Sequence, residues 1–280
     1  MSAFWGMIDA VIVINLDHRP DRWEEFQEHH GHQIPSDKLH RISGIFGQEI
    51  TGFGEHPWFR GRDRDKVWAG KAGCTLSHRR ALQLAQSSGW DNVLILEDDI
   101  SMTTSFSGVI ESLQQALKKN ADAWDICYLG YTDPWPPFRR IDNLAANHFL
   151  GQIYGCNCGH AYLVKPKVRD WIIAHMPDSK SIWFWLAKYR IQDRWYRRQL
   201  GRRFRVAAVS PCLIEQGMGI SDITGLHSDY YIGNKFISRL PQCQKCVLFF
   251  DLRIKVTAAK CLILDGYDWI RAKIKRIKGF

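Results

Sequence analysis

The stretch Val93-Leu94-Ile95-Leu96-Glu97-Asp98-Asp99 constrains this chain more than any other: an apolar run that ends on three carboxylates. Four consecutive apolar residues fit a short strand covered on both faces, as in a parallel sheet flanked by helices. Adjacent carboxylates at a buried strand end repel one another and lose hydration. A divalent cation relieves both penalties. Mn²⁺ and Mg²⁺ take carboxylate oxygens, commonly together with substrate phosphates. Ligands of open α/β sheets lie beyond the carboxyl ends of the strands. Glu97, Asp98 and Asp99 are therefore candidate ligands of a metal–diphosphate site. The same residues also fit a solvated turn that caps the next helix through Asp99 or Ser101.

The neighbouring segments alternate between strand and helix signals. Ala10 to Leu16 is a buried strand, followed by a helix from Pro20, a residue suited to a first helical turn, to about residue 30. Leu39 to Ile45 is a second strand. Residues 47–70, rich in glycine and charge, are expected to be a long functional loop. A helix is expected from Gly70 to about Ser88, with Gly70 and Gly73 allowing close approach of a phosphate or ligand backbone. Further elements are a helix near 106–119, a strand at 125–130, a Pro- and Trp-bearing loop at 131–147, a strand at 159–164, a helix to His175, one helix over about 181–200, and a strand at 205–209. This order predicts an α/β fold with a mainly parallel sheet and helices on both faces. His29, His30 and His32 are explained by a polar helix end. Core packing is the default for the twelve tryptophans.

Charge is unevenly spread. The net charge is +9. Residues 188–205 carry eight Lys or Arg against the single acid Asp193, and residues 271–280 carry five with no acid. Such clusters fit an anionic partner or a solvated basic face. No apolar run reaches a membrane span, and no signal peptide is visible. Eight cysteines without such a peptide predict free thiols in a cytoplasmic setting. Cys243 and Cys246 have metal-knuckle spacing but lack a second pair. The chain divides into a domain over 1–235 and an extension over 236–280. There Ile263, Tyr267, Ile270, Ile274 and Ile277 form an apolar stripe amid basic residues. That is a basic amphipathic helix, suited to lie peripherally on an anionic membrane surface or to dock on the domain.

Several of these stretches, in this order, resemble glycosyltransferase family 25, the lipopolysaccharide-biosynthesis and collagen galactosyltransferase group. They are Val13-Ile14-Asn15-Leu16-Asp17 with Arg19-Pro20-Asp21-Arg22, then Ile42 to Gly47, Gly73-Cys74-Thr75-Leu76-Ser77-His78, Leu94 to Asp99, His160 to Val164, and Asp193. The resemblance covers about residues 8–225. Lys71 departs from it, standing where the family often has an acid, and so do the arginines around Asp193. The resemblance implies a GT-A-like nucleotide-diphospho-sugar transferase fold and inverting transfer of a hexose, galactose or glucose, from a UDP-sugar to a glycan, lipid-linked glycan or protein hydroxyl. Mn²⁺ or Mg²⁺ would be held by Glu97, Asp98 and Asp99, with His227 as a late ligand. Asn15, Asp17, Arg22, Lys71, Ser77, His78 and Asp98 would bind the donor. Asp193 would be the catalytic base, with a pKa expected to be lowered by its arginines, or else an ordinary helical ion pair with Arg190 or Arg197. The competing reading is a non-catalytic membrane- or nucleic-acid-binding module on a degenerate α/β domain, with nucleic acid the less favoured partner.

Overall fold

The computed structural model describes residues 2–56, 59–217, 222–223, 240 and 249–278, with side chains through residue 274. The centre is a mixed eight-stranded sheet. β1 (Ala10–Asn15) pairs in parallel with β2 (Leu39–Ser43) on one side and β3 (Val93–Glu97) on the other. β8 (Gly155–Val164) then joins β3 antiparallel and carries β5 (Ile126–Trp135) on its far edge. β9 (Val206–Ser210) pairs parallel to β5, and β7 (Phe149–Ile153) and β6 (Arg139–Asn143) close the sheet. Most strands therefore run one way, with β8 and β7 reversed. A short ribbon of β4 (Ile100–Met102) and β10 (Ile214–Gln216) stands beside the acidic end of β3.

Burial accounts for the strands. Val93, Leu94, Ile95 and Leu96 are all fully buried, alternating between two apolar cores on opposite faces of the sheet. Each such side chain contributes about 1.5–3 kcal/mol by leaving water. One face is covered by α1 (Ala3–Met7) and α4 (Phe106–Lys119). The other is covered by α3 (Asp63–Ser87), α5 (Pro166–His175), α6 (Ile182–Tyr189) and α7 (Gln192–Gln199). α2 (Pro20–His29) follows β1, with Phe26 buried in the first of these cores. Trp124, Trp183, Trp185 and Trp195 are buried, as core packing requires.

Three sequence expectations change. The helix expected from Gly70 starts at Asp63, because the Asp65 carboxylate accepts the backbone N–H groups of Arg60 and Arg62 and acids suit a helix N-terminus. The helix expected over 181–200 is two, broken at Arg190, whose φ of 71° lies in the left-handed region. The 131–147 loop is largely sheet: β5 runs to Trp135 and β6 starts at Arg139, and the following β7 is buried throughout.

The extension is α8 (Phe250–Lys278), the last described element. It docks on α6, α7 and the turn after α7. Asp268, 3 % exposed, pairs with Arg194 and Arg198 at 2.5 Å each and with Arg271 at 3.1 Å. Asp265 pairs with Arg198 and Arg202. Much of the basic cluster at 188–205 therefore has an internal partner. Cys243 and Cys246 lie outside the described residues. The six described cysteines are free thiols. No described helix is long and apolar enough to cross a membrane.

Candidate active site

Parallel register builds the site. Ile14 is level with Glu97, so the carboxyl ends of β1 and β3 open at one edge and Asn15 meets the acidic cluster. Leu96 is level with Ala161 of β8, which brings His160 beside Glu97. The edge opens into a cleft of about 590 Å³ whose lining includes Arg22, Phe46, His78, Glu97, Asp98 and Asp99.

Asn15 is buried and fully engaged. Its amide nitrogen donates to Asp98 Oδ2 at 2.7 Å and to the Arg19 carbonyl, and its oxygen accepts from Arg41 at 2.8 Å. It acts as the residue that orients Asp98. Asp21 binds Arg19, while Arg22 reaches the acidic cluster. Its guanidinium reaches Asp98 Oδ1 at 3.2 Å, Asp99 Oδ2 at 3.4 Å and Asp222 at 3.3 Å. Asp17 is mostly exposed and is taken up by Arg41 and Ser43. Among the described residues it does not line the cleft, and neither does Lys71. Lys71 lies near Arg190 and Asp193, and burial lowers its pKa.

His78 joins the two halves of the site. Its Nε2 lies 3.2 Å from Glu97 Oε1 and its Nδ1 lies 3.1 Å from the Tyr162 hydroxyl, each at hydrogen-bond distance. Burial works against the Glu97 carboxylate, yet the His78 hydrogen bond holds its pKa below the ordinary value. Ser77 lines the cleft, but its hydroxyl donates to the Gly73 carbonyl and accepts from the Ile45 N–H, each at 2.7 Å. The small residues of α3 serve the same contact. A Cβ on Gly73 would lie 2.2 Å from the Ile45 carbonyl, and one on Gly47 would lie 1.7 Å from that of Ala69. The close approach that Gly73 and Gly47 permit is between α3 and the turn after β2, while Gly70, one turn earlier on α3, lines the cleft beside Ile223.

The acidic cluster is under electrostatic stress. Burial and then Glu97 push Asp99 up to about 7, and burial also raises Asp98 despite Asn15 and Arg22. Among the described residues, Asp99 Oδ1 is buried with no hydrogen-bond partner, while Oδ2 meets Arg22 and, at 3.5 Å, Gln216. An orphaned carboxylate oxygen among like charges fits a hard divalent cation. A second donor set overlaps it: one ligand atom from each of Cys74, His78 and Glu97 falls within 4.8 Å of the others. Asp98 is already committed to Asn15 and Arg22. His227 lies outside the described residues.

Asp193 opens α7 and is half-buried, its Oδ2 accepting the Cys158 N–H at 3.2 Å. Its expected low pKa is not found. Burial first, and Glu97 second, raise it to about 6 and outweigh Arg197. Arg197 is turned away to Asn157 at 2.6 Å and to the face of Trp135. Among the described residues Asp193 makes no ion pair with Arg190 or Arg197. Gln216, Asp222 and Tyr162 were not foreseen as site residues. Only Tyr162 had a signal, its place in the strand after His160.

Residues 8–133 match the family model described as glycosyltransferase family 25 (LPS biosynthesis protein). A human protein named inactive glycosyltransferase 25 family member 3 is 29% identical over 138 residues, covering 44% of this chain and 22% of that protein. A bovine protein named probable inactive glycosyltransferase 25 family member 3 is 28% identical over 132 residues, with the same coverage. The match thus spans well under a third of those relatives. Among solved structures, A197 from STIV aligns with 79% of this chain and 93% of its own, at a TM-score of 0.39 and 12% identity. A mannose-1-phosphate geranyltransferase from Thermus thermophilus aligns with 77% and 76%, at 0.30 and 13%. Neither score reaches the level at which a shared fold is inferred. The resemblance carried by Asn15-Leu16-Asp17, Gly73 to His78 and Glu97-Asp98-Asp99 falls within this match to the glycosyltransferase family 25 model, over residues 8–133.

Proposed function

We propose that this chain is a GT-A-like, metal-dependent, inverting transferase. It moves a hexose, galactose or glucose, from a UDP-sugar to a hydroxyl of a glycan, lipid-linked glycan or protein. The observation that carries this reading is the orphaned Asp99 oxygen in a carboxylate cluster at the wall of the cleft. Asp99 and Glu97 would hold Mn²⁺ or Mg²⁺. When bound, such an ion supplies positive charge to the departing diphosphate. Arg22 adds a fixed cation at the same place, and Asn15 keeps Asp98 oriented. Asp193, close enough to Glu97 and His78 to feel their charges, would take the acceptor proton. As the acceptor oxygen bonds to the anomeric carbon, the bond from that carbon to the diphosphate breaks and the hydroxyl proton passes to the carboxylate. A pKa near 6 suits that task better than an ordinary aspartate, because a base works best when its pKa approaches the working pH.

A second reading is donor binding without turnover. It is favoured by Arg22, an internal cation that already bridges Asp98 and Asp99. The discriminating experiment is UDP release from a panel of UDP-sugars with Mn²⁺, beside an EDTA control and Asp99→Asn. Release from one sugar, abolished by both controls, supports the transferase. Donor binding with no release from any sugar, acceptors supplied, supports the second reading.

A further inference from the structure

The last helix is amphipathic in an unusual sense: its polar side faces the protein. Cys261, Asp265, Asp268 and Ala272, spaced four, three and four apart, are buried against the domain. The two aspartates meet three arginines there, Arg194, Arg198 and Arg202. At about 100° per residue, Leu252, Val256, Ile263, Tyr267, Ile270 and Ile274 gather on the opposite side. These six are between 46 % and 74 % exposed. The apolar stripe recognised in the sequence is therefore the outer face of α8, and the docking surface is another.

What borders that stripe identifies its occupant. On the same wheel, Lys255 and Lys273 flank one margin, and Lys260 and Arg253 flank the other; all four are exposed. Trp269, also exposed, carries Lys273 over its ring at 4.3 Å. A protein partner that covered an apolar stripe would bury these cations or need acids to match them. An anionic bilayer takes the stripe into its acyl boundary and keeps the cations at the headgroups, where long lysines reach outward. Contiguous exposed apolar faces of this kind mark interaction sites.

We propose that the outer face of α8 binds the surface of an anionic lipid bilayer, while its inner face fixes the helix to α6 and α7. The helix lies flat, since it is too short of apolar length to span. Because α7 presents Arg194 and Arg198 to α8 and Asp193 to the site, the same short helix links the bilayer-facing element to the candidate base. The proposal does not depend on the transferase reading.

The test is flotation of the full chain with vesicles of phosphatidylcholine alone and of phosphatidylcholine with about 30% phosphatidylglycerol, an anionic surface of the kind such helices bind. Folding of every variant is checked by thermal melting, and oligomeric state by sedimentation. Binding to the anionic vesicles alone is expected. It should weaken at least tenfold in Ile263→Asp/Ile270→Asp, whose positions face outward and leave the fold intact, and in Lys255→Glu/Lys273→Glu. Equal flotation of wild type and both variants would overturn the proposal. So would no binding to either vesicle, or a concentration-dependent dimer abolished by Ile263→Asp/Ile270→Asp, which would make a second copy the occupant.

Discussion

Replacing Asp268 by alanine tests how the last helix is held. The carboxylate is 3 % exposed and receives Arg198, itself 5 % exposed, and Arg194. Removing one partner of a buried ion pair leaves the other charge unpaired in a poor dielectric, at a cost of about 3–5 kcal/mol. Here Arg198 retains Asp265 at 3.4 Å, and Arg194 is partly solvated. The lower end, about 3 kcal/mol, is therefore expected. At about 2 °C per kcal/mol for a large domain, the melting temperature should fall by roughly 6 °C. Asp268→Asn keeps an acceptor and should lose less. Asp251→Ala, exposed on the first turn of α8, should stay within about 0.5 kcal/mol. The assay is thermal unfolding by circular dichroism, with trypsin cleavage at Lys255 and Lys260 as a second readout. A melting temperature within about 1 °C of wild type, together with unchanged cleavage, would refute the reasoning.

Gly73→Ala should cost about 1–3 kcal/mol, because its methyl would meet the Ile45 carbonyl at 2.2 Å; a denaturant melt with an unchanged midpoint would count against that packing. If Asp193 is the base, the rate should fall about tenfold per pH unit below about 6 and be flat above it, the carboxyl being raised to that value by burial and Glu97; a profile flat down to about pH 5 would exclude it. Asp99, raised to about 7 against about 3.9 in an unfolded chain, holds its proton better when folded. Its contribution to stability is therefore favourable at low pH and is lost as pH climbs from about 4 through 7. Mn²⁺ should accordingly raise the melting temperature more at about pH 8 than at about pH 5, and an equal rise would contradict the assignment.

The sheet's first half and its acidic edge were legible because each signal was local. Val93 to Leu96 is an unbroken buried run, and the carboxylates after it fall at the strand end where the register of β1 places Asn15. Other features depended on tertiary partners. Nothing between Tyr189 and Gln192 is a glycine or proline, so the break at Arg190 left no mark in the sequence. β7 carries an inward Gln152 and was obscured by the Pro-rich segment before it. The arginines around Asp193 suggested a lowered pKa, but Arg194 and Arg198 are spent on α8 and Arg197 on Asn157. Their neutralising acids, Asp265 and Asp268, are far away in sequence, on the last helix. The glycines of Gly70 to Gly73 carried a true signal of close approach and gave no hint that the approaching group is the chain's own backbone.

Calorimetric titration of UDP into the protein, with and without Mn²⁺ and repeated on Asp99→Asn, tests the central claim that the end of β3 is a metal–diphosphate site. The expected result is binding at least tenfold tighter with Mn²⁺, with that gain absent from Asp99→Asn. UDP binding of equal strength with and without Mn²⁺, or a gain that survives Asp99→Asn, would contradict it.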